Sequence, residues 1–279
     1  MRWDERPRLR HPILIAAFEG WNDAAEAATT AARYLRDRWG ARPFASLDPE
    51  EFYDFSSTRP QVKLAEGFTR QIVWPSNQLS AAILPSEDHD VVLLIGTEPQ
   101  LRWRTFCAEL VGVAQELGVE LVVSLGALLA DVAHTRPVKV TGSAANPELV
   151  QELGLQRSRY EGPTGIVGVL HDAFAKAGIR SASLWAAVPH YVAGTPSPKA
   201  ALALVERAAR LLEVRVVAAD LAQLAVDYER QVTEVVEADE DVSAYVNRLE
   251  ETNDDEGMEL ASGEELAAEL QRFLREQGD

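Results

Sequence analysis

Polar residues able to share acid–base or anion-binding work recur at the ends of short apolar runs. Glu19, Trp21 and Asn22 follow Ile13–Phe18, Glu98 follows Val91–Ile95, and Asp131, His134 and Arg136 follow Leu121–Leu125. His190 and Tyr191 follow Ala182–Val188, while Glu161, Thr164 and Gly165 precede an apolar helical stretch. A carboxylate paired with a histidine is the minimum for general acid–base catalysis. Open α/β sheets gather ligands just beyond the carboxyl ends of their strands. If the runs are parallel neighbours, Glu19, Trp21, Asn22, Glu98, Asp131, His134, Arg136, Glu161, Thr164, Gly165 and His190 form one candidate cleft.

None of these sets is a known catalytic motif. Asp131 and His134 are three apart, so the more economical reading is a single turn satisfying local backbone, with acid–base work as the alternative. The series Gly162, Gly165, Gly168 has neither the dinucleotide fingerprint nor the phosphate-loop lysine. Thr164 is expected to cap the helix behind it and leave N–H groups suited to a phosphate or carboxylate. The glycines serve as well for a tight turn and close helix–sheet packing. Five histidines and one cysteine show no metal-ligand spacing, so no metal and no cofactor is expected. No nucleophile elbow is present, and Cys107 falls inside a helical stretch, where it packs.

The elements that must position these residues are legible from periodicity. Leu121–Leu125 reads as a strand buried on both faces, as do Ile13–Phe18 and Val91–Ile95. Phe44–Leu47 and Ala182–Val188 complete the clear strands, and Arg70–Trp74 with Ala81–Leu84 read as two strands joined by the turn Pro75–Gln78. Helices are expected over Ala24–Trp39, with Asp23 and Glu26 as a capping box, and over Trp103–Leu117, stopped by Gly118. Others follow at Pro147 behind the cap Asn146, at Ile166–Ala177, and at Pro198–Leu212 behind the cap Ser197. A longer helix is expected over Val217–Glu250, then an acidic linker Asn253–Gly257 and a last helix from Glu264 to about Glu276. Phe52, Tyr53 and Phe55 anchor the loop Asp48–Pro60 or line a pocket. The fold class is α/β, with a mixed, largely parallel sheet flanked by helices. Residues 1–212 form the core domain and residues 213–279 an acidic helical C-terminal appendage.

Charge is unevenly spread over the 279 residues. The net charge is −17, yet from Glu229 onward there are 17 acidic and 4 basic residues, against 27 and 23 before it. An acidic arm over a near-neutral body excludes non-specific nucleic-acid binding, which needs clustered Lys and Arg. It reads as a solvated, solubilising face or as a contact for a basic partner. No run approaches the roughly 20 apolar residues that span a bilayer, and Ile13–Phe18 is too short for a signal peptide. With a single cysteine no intrachain disulfide can form, so a cytoplasmic location is expected.

Four stretches in order resemble the proteasome assembly chaperone 2 family in its actinobacterial branch. They are Phe18-Glu19-Gly20-Trp21-Asn22-Asp23-Ala24, Gly96-Thr97-Glu98-Pro99, Gly126-Ala127 through His134-Thr135-Arg136-Pro137, and Tyr160-Glu161-Gly162-Pro163-Thr164-Gly165-Ile166. The resemblance implies an α/β sandwich similar to purine nucleoside phosphorylases, assembled as a homo-oligomer with a trimer favoured. For eukaryotic and archaeal relatives it implies binding to proteasome α-subunits, so proteasome subunits are the candidate protein partner. Those chaperones dock through a hydrophobic–tyrosine–any tail, whereas this chain ends Gln277-Gly278-Asp279. The leading reading is thus a non-enzymatic, oligomeric protein-binding or assembly-chaperone-like factor. The alternative is an enzyme or sensor holding a small phosphorylated or nucleoside-like ligand in the strand-end cleft, and a third reading is a purely structural oligomer.

Overall fold

The short Val- and Leu-rich runs become strands because their apolar side chains alternate between two helical layers. In the computed structural model, which describes residues 1–65, 68–157 and 160–251, the chain runs β1 (Arg2–Trp3), β2 (Ile13–Glu19), α1 (Ala27–Arg38), β3 (Arg42–Leu47). It continues β4 (Gln61–Ala65), β5 (Thr69–Val73), β6 (Asn77–Ala82), β7 (Val91–Thr97), α2 (Trp103–Leu117) and β8 (Leu121–Ala130). Then come β9 (Val140–Ala144), α3 (Pro147–Glu152), β10 (Gln156–Arg157), α4 (Ile166–Lys176), β11 (Arg180–Pro189), α5 (Pro198–Leu211), α6 (Ala219–Glu237) and α7 (Glu240–Glu251).

One sheet has the order β1-β3-β6-β7-β2-β8-β11-β9-β10. Its centre, β7-β2-β8-β11, is parallel, and β6 and β9 flank that centre antiparallel. The class is therefore mixed α/β. Ile15, Ala17, Leu93 and Val123 face α1 and α5, while Leu14, Ala16, Leu94 and Val122 face α2 and α4. Alanines 27, 28, 31 and 32 of α1 are fully buried, and with no longer side chain they let the helix lie close to both the sheet and α5. Phe106 of α2 packs edge-on against Phe52, which ties the loop after β3 to the second layer.

Several elements differ from expectation for identifiable reasons. Arg70–Trp74 and Ala81–Leu84 do not pair with each other. Thr69–Val73 pairs back on Gln61–Ala65 as a separate hairpin, and Asn77 and Gln78, read as turn residues, begin β6. Asn77 is held there because its amide donates to the Thr97 carbonyl at 3.1 Å. The helix read from Ala24 begins at Ala27, since Ala25 and Glu26 take positive φ (50° and 51°) in a preceding 3-10 turn. Glu26 accordingly closes no capping box. Asp23 still caps, accepting from Ala28 N at 2.6 Å and Thr29 N at 3.2 Å. The single helix over Val217–Glu250 is two, broken at Ala238 and Asp239, where Asp239 accepts the Val242 N–H and starts α7. β9, between β11 and β10, was not read from the sequence, because Val-Thr-Gly-Ser-Ala carries no run of apolar residues. The linker Asn253–Gly257 and the helix expected from Glu264 lie outside the described residues.

Gly96 marks the tightest approach in the sheet. A Cβ built on it would sit 2.2 Å from the Ser76 carbonyl oxygen and the Asn77 side-chain oxygen. Backbone cannot yield as a flexible side chain can, so Gly96→Ala is expected to cost about 1–3 kcal/mol, the range for forced overpacking. Urea unfolding of the variant, with unchanged m-value, is the measurement; a midpoint equal to wild type would contradict the packing described.

Candidate functional site

All four central strands deliver their carboxyl ends to one edge of the sheet, but the polar groups there divide into two clusters. The first surrounds the start of α4. Glu98 accepts the Ile166 N–H at 2.7 Å and the Asn22 side-chain amide at 3.3 Å. It also accepts the Trp21 N–H, and burial pushes its carboxyl above the usual range against these bonds. Gly165 is required by this closeness, because a Cβ on it would meet Asn22 Nδ2 at 2.5 Å and Glu98 Oε1 at 2.7 Å. Thr164 does not cap α4; its hydroxyl lies 3.4 Å from the Gly165 carbonyl, and the protein's own carboxylate occupies the helix N-terminus instead. Glu161 stands exposed outside this cluster.

Glu19 turns the other way, toward α1. It forms an ion pair with Arg33 and accepts from Thr97 Oγ1 at 3.0 Å. Asp23, buried at the start of α1, takes the Ala28 and Thr29 N–H groups and the Thr29 hydroxyl, and desolvation pushes its carboxyl up to about 6.

The second cluster holds the C-terminal helices. Tyr191 OH accepts the His134 backbone N–H at 2.7 Å and lies 2.9 Å from Nδ1. Thr233 spends its only hydroxyl proton on the Glu229 carbonyl, so Nε2 carries the proton of the neutral ring and Nδ1 accepts from Tyr191. Nε2 donates 3.0 Å to Thr233 Oγ1, whose hydroxyl donates to the Glu229 carbonyl at 2.9 Å. Burial and Lys199 both lower the imidazole pKa, in keeping with a neutral ring. Lys199 Nζ donates to the carbonyls of His134 and Arg136 at 2.5 and 2.8 Å and pairs with Glu229 of α6. Thr135 and Arg136 both donate to Glu250 of α7. Asp131 accepts from Tyr245 OH at 3.1 Å, and His190 Nδ1 lies 3.1 Å from the same oxygen, within ion-pair range but outside hydrogen-bond alignment. Tyr191, Tyr245 and His190 stack edge-on, over the apolar contact of Ala133 with Tyr228, Val232 and Val246.

Sequence reading missed two further arrangements. His171 of α4 bridges Ser124 Oγ of β8 and Ser181 Oγ of β11, both at 2.8 Å, and desolvation drives its imidazole down to about 4. The spacing of three such residues over 58 positions carries no local signal. The other is a groove of about 340 Å³ on the α1 side, walled by α1, β6, β7 and the β4–β5 hairpin. Its signal was Arg33 and Arg36, three apart on α1, opposite a hairpin whose alternate residues are polar.

The fold is a mixed α/β sheet with helices on both faces, its strand-end polar groups tied into helix docking. The chain belongs to the PAC2 family, whose model matches residues 17–236. It is similar to the crystal structure of a PAC2 family protein from Streptomyces avermitilis, at 48% identity, covering 84% of this chain and 99% of that one, with a TM-score of 0.78. A proteasome-assembly chaperone homologue of Mycobacterium tuberculosis is similar at 47% identity over 84% and 99% of the two chains, with a TM-score of 0.76. An archaeal proteasome activator from Pyrococcus furiosus shares the fold at 19% identity, over 84% and 96%, with a TM-score of 0.69. No functionally curated protein matches the sequence. Among the described residues no group of side chains is arranged to hold a metal, and no helix is long and apolar enough to cross a membrane.

Two outcomes follow from the clusters. Glu98→Ala is expected to lower stability by about 1–3 kcal/mol, the cost of orphaning buried donors. Glu98→Gln, which keeps an acceptor oxygen, should lose less than half of that by urea unfolding. For His171, the depressed value gives a contribution that is present above its ordinary 6.5 and lost as pH falls through about 4. Asp23 opposes it, contributing below its ordinary 3.8 and losing that contribution as pH rises through about 6. The difference between wild type and His171→Gln isolates the histidine. That difference should shrink by at most ~1.4 kcal/mol per pH unit between pH 6.5 and 4.5, and a pH-independent difference would show that the ring is not desolvated.

Proposed function

We propose that this protein is a non-enzymatic homo-oligomer that binds other proteins in an assembly-chaperone-like role, in the cytoplasm. Family membership and the 47% identical proteasome-assembly chaperone homologue support the class. The observation that carries the reading is the β4–β5 hairpin. Val62 pairs across the strands with Ile72, and Leu64 lies two residues on, so the three share one face. They are 57%, 54% and 63% exposed, with Phe68 at 93% near the turn. An amphipathic hairpin that turns an apolar face to solvent is an interaction surface in waiting. The strand-end groups support the same reading from the other side. An acid–base pair needs free hydrogen-bonding capacity, whereas Glu98 and His134 spend theirs on α4, Tyr191 and α6.

The partners proposed are further copies of this chain, as a trimer, and proteasome α-subunits. Residues 1–212 act as the folding core, with the acidic helices after them as an appendage held through His134 and Lys199.

Light scattering coupled to size exclusion should give more than one subunit at micromolar concentration. Leu64→Glu with Ile72→Glu should shift the protein toward monomer while leaving the melting temperature within a few degrees, because both side chains are already exposed. A monomeric wild type would overturn the oligomer. Native mass spectrometry with purified proteasome α-subunits tests the partner, and absence of any complex would remove it.

A further inference from the structure

The groove beside α1 combines features that no structural role uses up. It is lined by Arg33, Arg36, Arg59 and Lys63, with Glu19 as its one carboxylate. Glu19 answers Arg33, and Arg36 pairs with its neighbour Asp37. Arg59 and Lys63 form no ion pair or hydrogen bond with any described residue, although the chain as a whole carries −17. The floor is polar as well. Gln78 and Ser80 of β6 point into it, on the sheet face that α1 leaves uncovered, and neither side chain bonds to a described residue. Trp74 supplies a flat apolar wall, fixed edge-on against Phe55 at 4.8 Å between ring centres.

Pairing in the hairpin alternates its two faces. Gln61, Lys63 and Val73 turn to the groove, while Val62, Leu64 and Ile72 turn away. The groove is thus independent of the apolar face assigned above to protein contact.

We propose that this groove is a binding site for a small polyanion, a compact ligand carrying two or more phosphate or carboxylate groups. Its volume of about 340 Å³ lies at the small end of ligand pockets, which suits a compact molecule and not a folded partner. Guanidinium forks from two directions grip planar or tetrahedral oxyanions in pairs. The hydroxyl of Ser80 and the amide of Gln78 add neutral donors below. On a strongly acidic protein the long-range field repels anions, so capture depends on this local convergence and is weakened by salt.

Isothermal titration of the full chain with tripolyphosphate and, separately, with citrate tests the site, in 50 mM and in 500 mM NaCl. Binding of either probe, weakened at least tenfold by the higher salt, is the expected result. Tripolyphosphate alone would assign phosphate, citrate alone carboxylate, and both a charge-selective site. Arg59→Ala with Lys63→Ala should weaken binding at least tenfold while its melting temperature without ligand stays at the wild-type value, since both residues are exposed. No heat with either probe overturns the proposal. Binding that the double variant leaves unchanged does so too, because the anion would then sit elsewhere. Leu64→Glu with Ile72→Glu, on the opposite face, should leave the affinity at wild type, so loss of the oligomer and loss of the anion site are separately readable.

Discussion

Burial of β2, β7, β8 and β11 on both faces governs what can happen at their ends. A strand that leaves a two-sided apolar core carries its next polar groups straight into a half-desolvated rim, and each must find a partner or lose free energy. In this fold the partners are supplied from within. Glu98 turns the start of α4 into its own anion site, and Asp23 does the same for α1. A helix N-terminus that already holds a carboxylate has neither the free N–H groups nor the unscreened dipole that a phosphate would need. The edge that general topology marks for ligands is here filled by side chains that lock the layers together.

The same logic explains how the C-terminal helices are attached. The first half of α6 buries Leu221 in the main core and packs on α5, while its second half and α7 bury only a small apolar cluster, Tyr228, Val232, Val236 and Val246. Docking is made specific by polar groups of the loop after β8, His134 to Thr233 with Thr135 and Arg136 to Glu250, and by Lys199 of α5 to Glu229. A neutral His134 is central to this, because only the neutral ring can accept from Tyr191 and donate to Thr233 at once. The candidate acid–base residue of the sequence is thereby a clasp between two parts of one chain.

How much of this the residues disclosed follows from the range of each cause. Trp103–Leu117 was legible to the residue because its apolar repeat and its stop at Gly118 are both local. So were the caps Asn146 and Ser197, each accepting an N–H two or three residues on. The parallel centre was legible from apolar runs alone. Family kinship was carried by four separated polar stretches, whereas the pairing of β6 between β3 and β7 was not legible, because Asn77 is fixed by Thr97 and Gly96 from about twenty residues away. That Glu98 and not Thr164 caps α4 is equally non-local, a contact across 68 positions. Spacing placed the strand-end residues on one edge, yet it could not say which neighbour each would choose.

What remains uncommitted in the described fold therefore lies away from that edge. The β4–β5 hairpin turns the apolar side chains of Val62, Leu64 and Ile72 to solvent, and beneath its other face cationic side chains outnumber carboxylates four to one. Maintaining Arg59 and Lys63 unpaired beside Arg33 and Arg36 costs mutual repulsion, while burying Val62, Leu64 and Ile72 elsewhere would have stabilised the monomer. Neither arrangement helps the isolated chain fold. Both become favourable only when something binds, apolar surface on one side and negative charge on the other. The proposed protein contact and the proposed anion site thus share one two-faced hairpin, beside the mouth of the sheet and not in it.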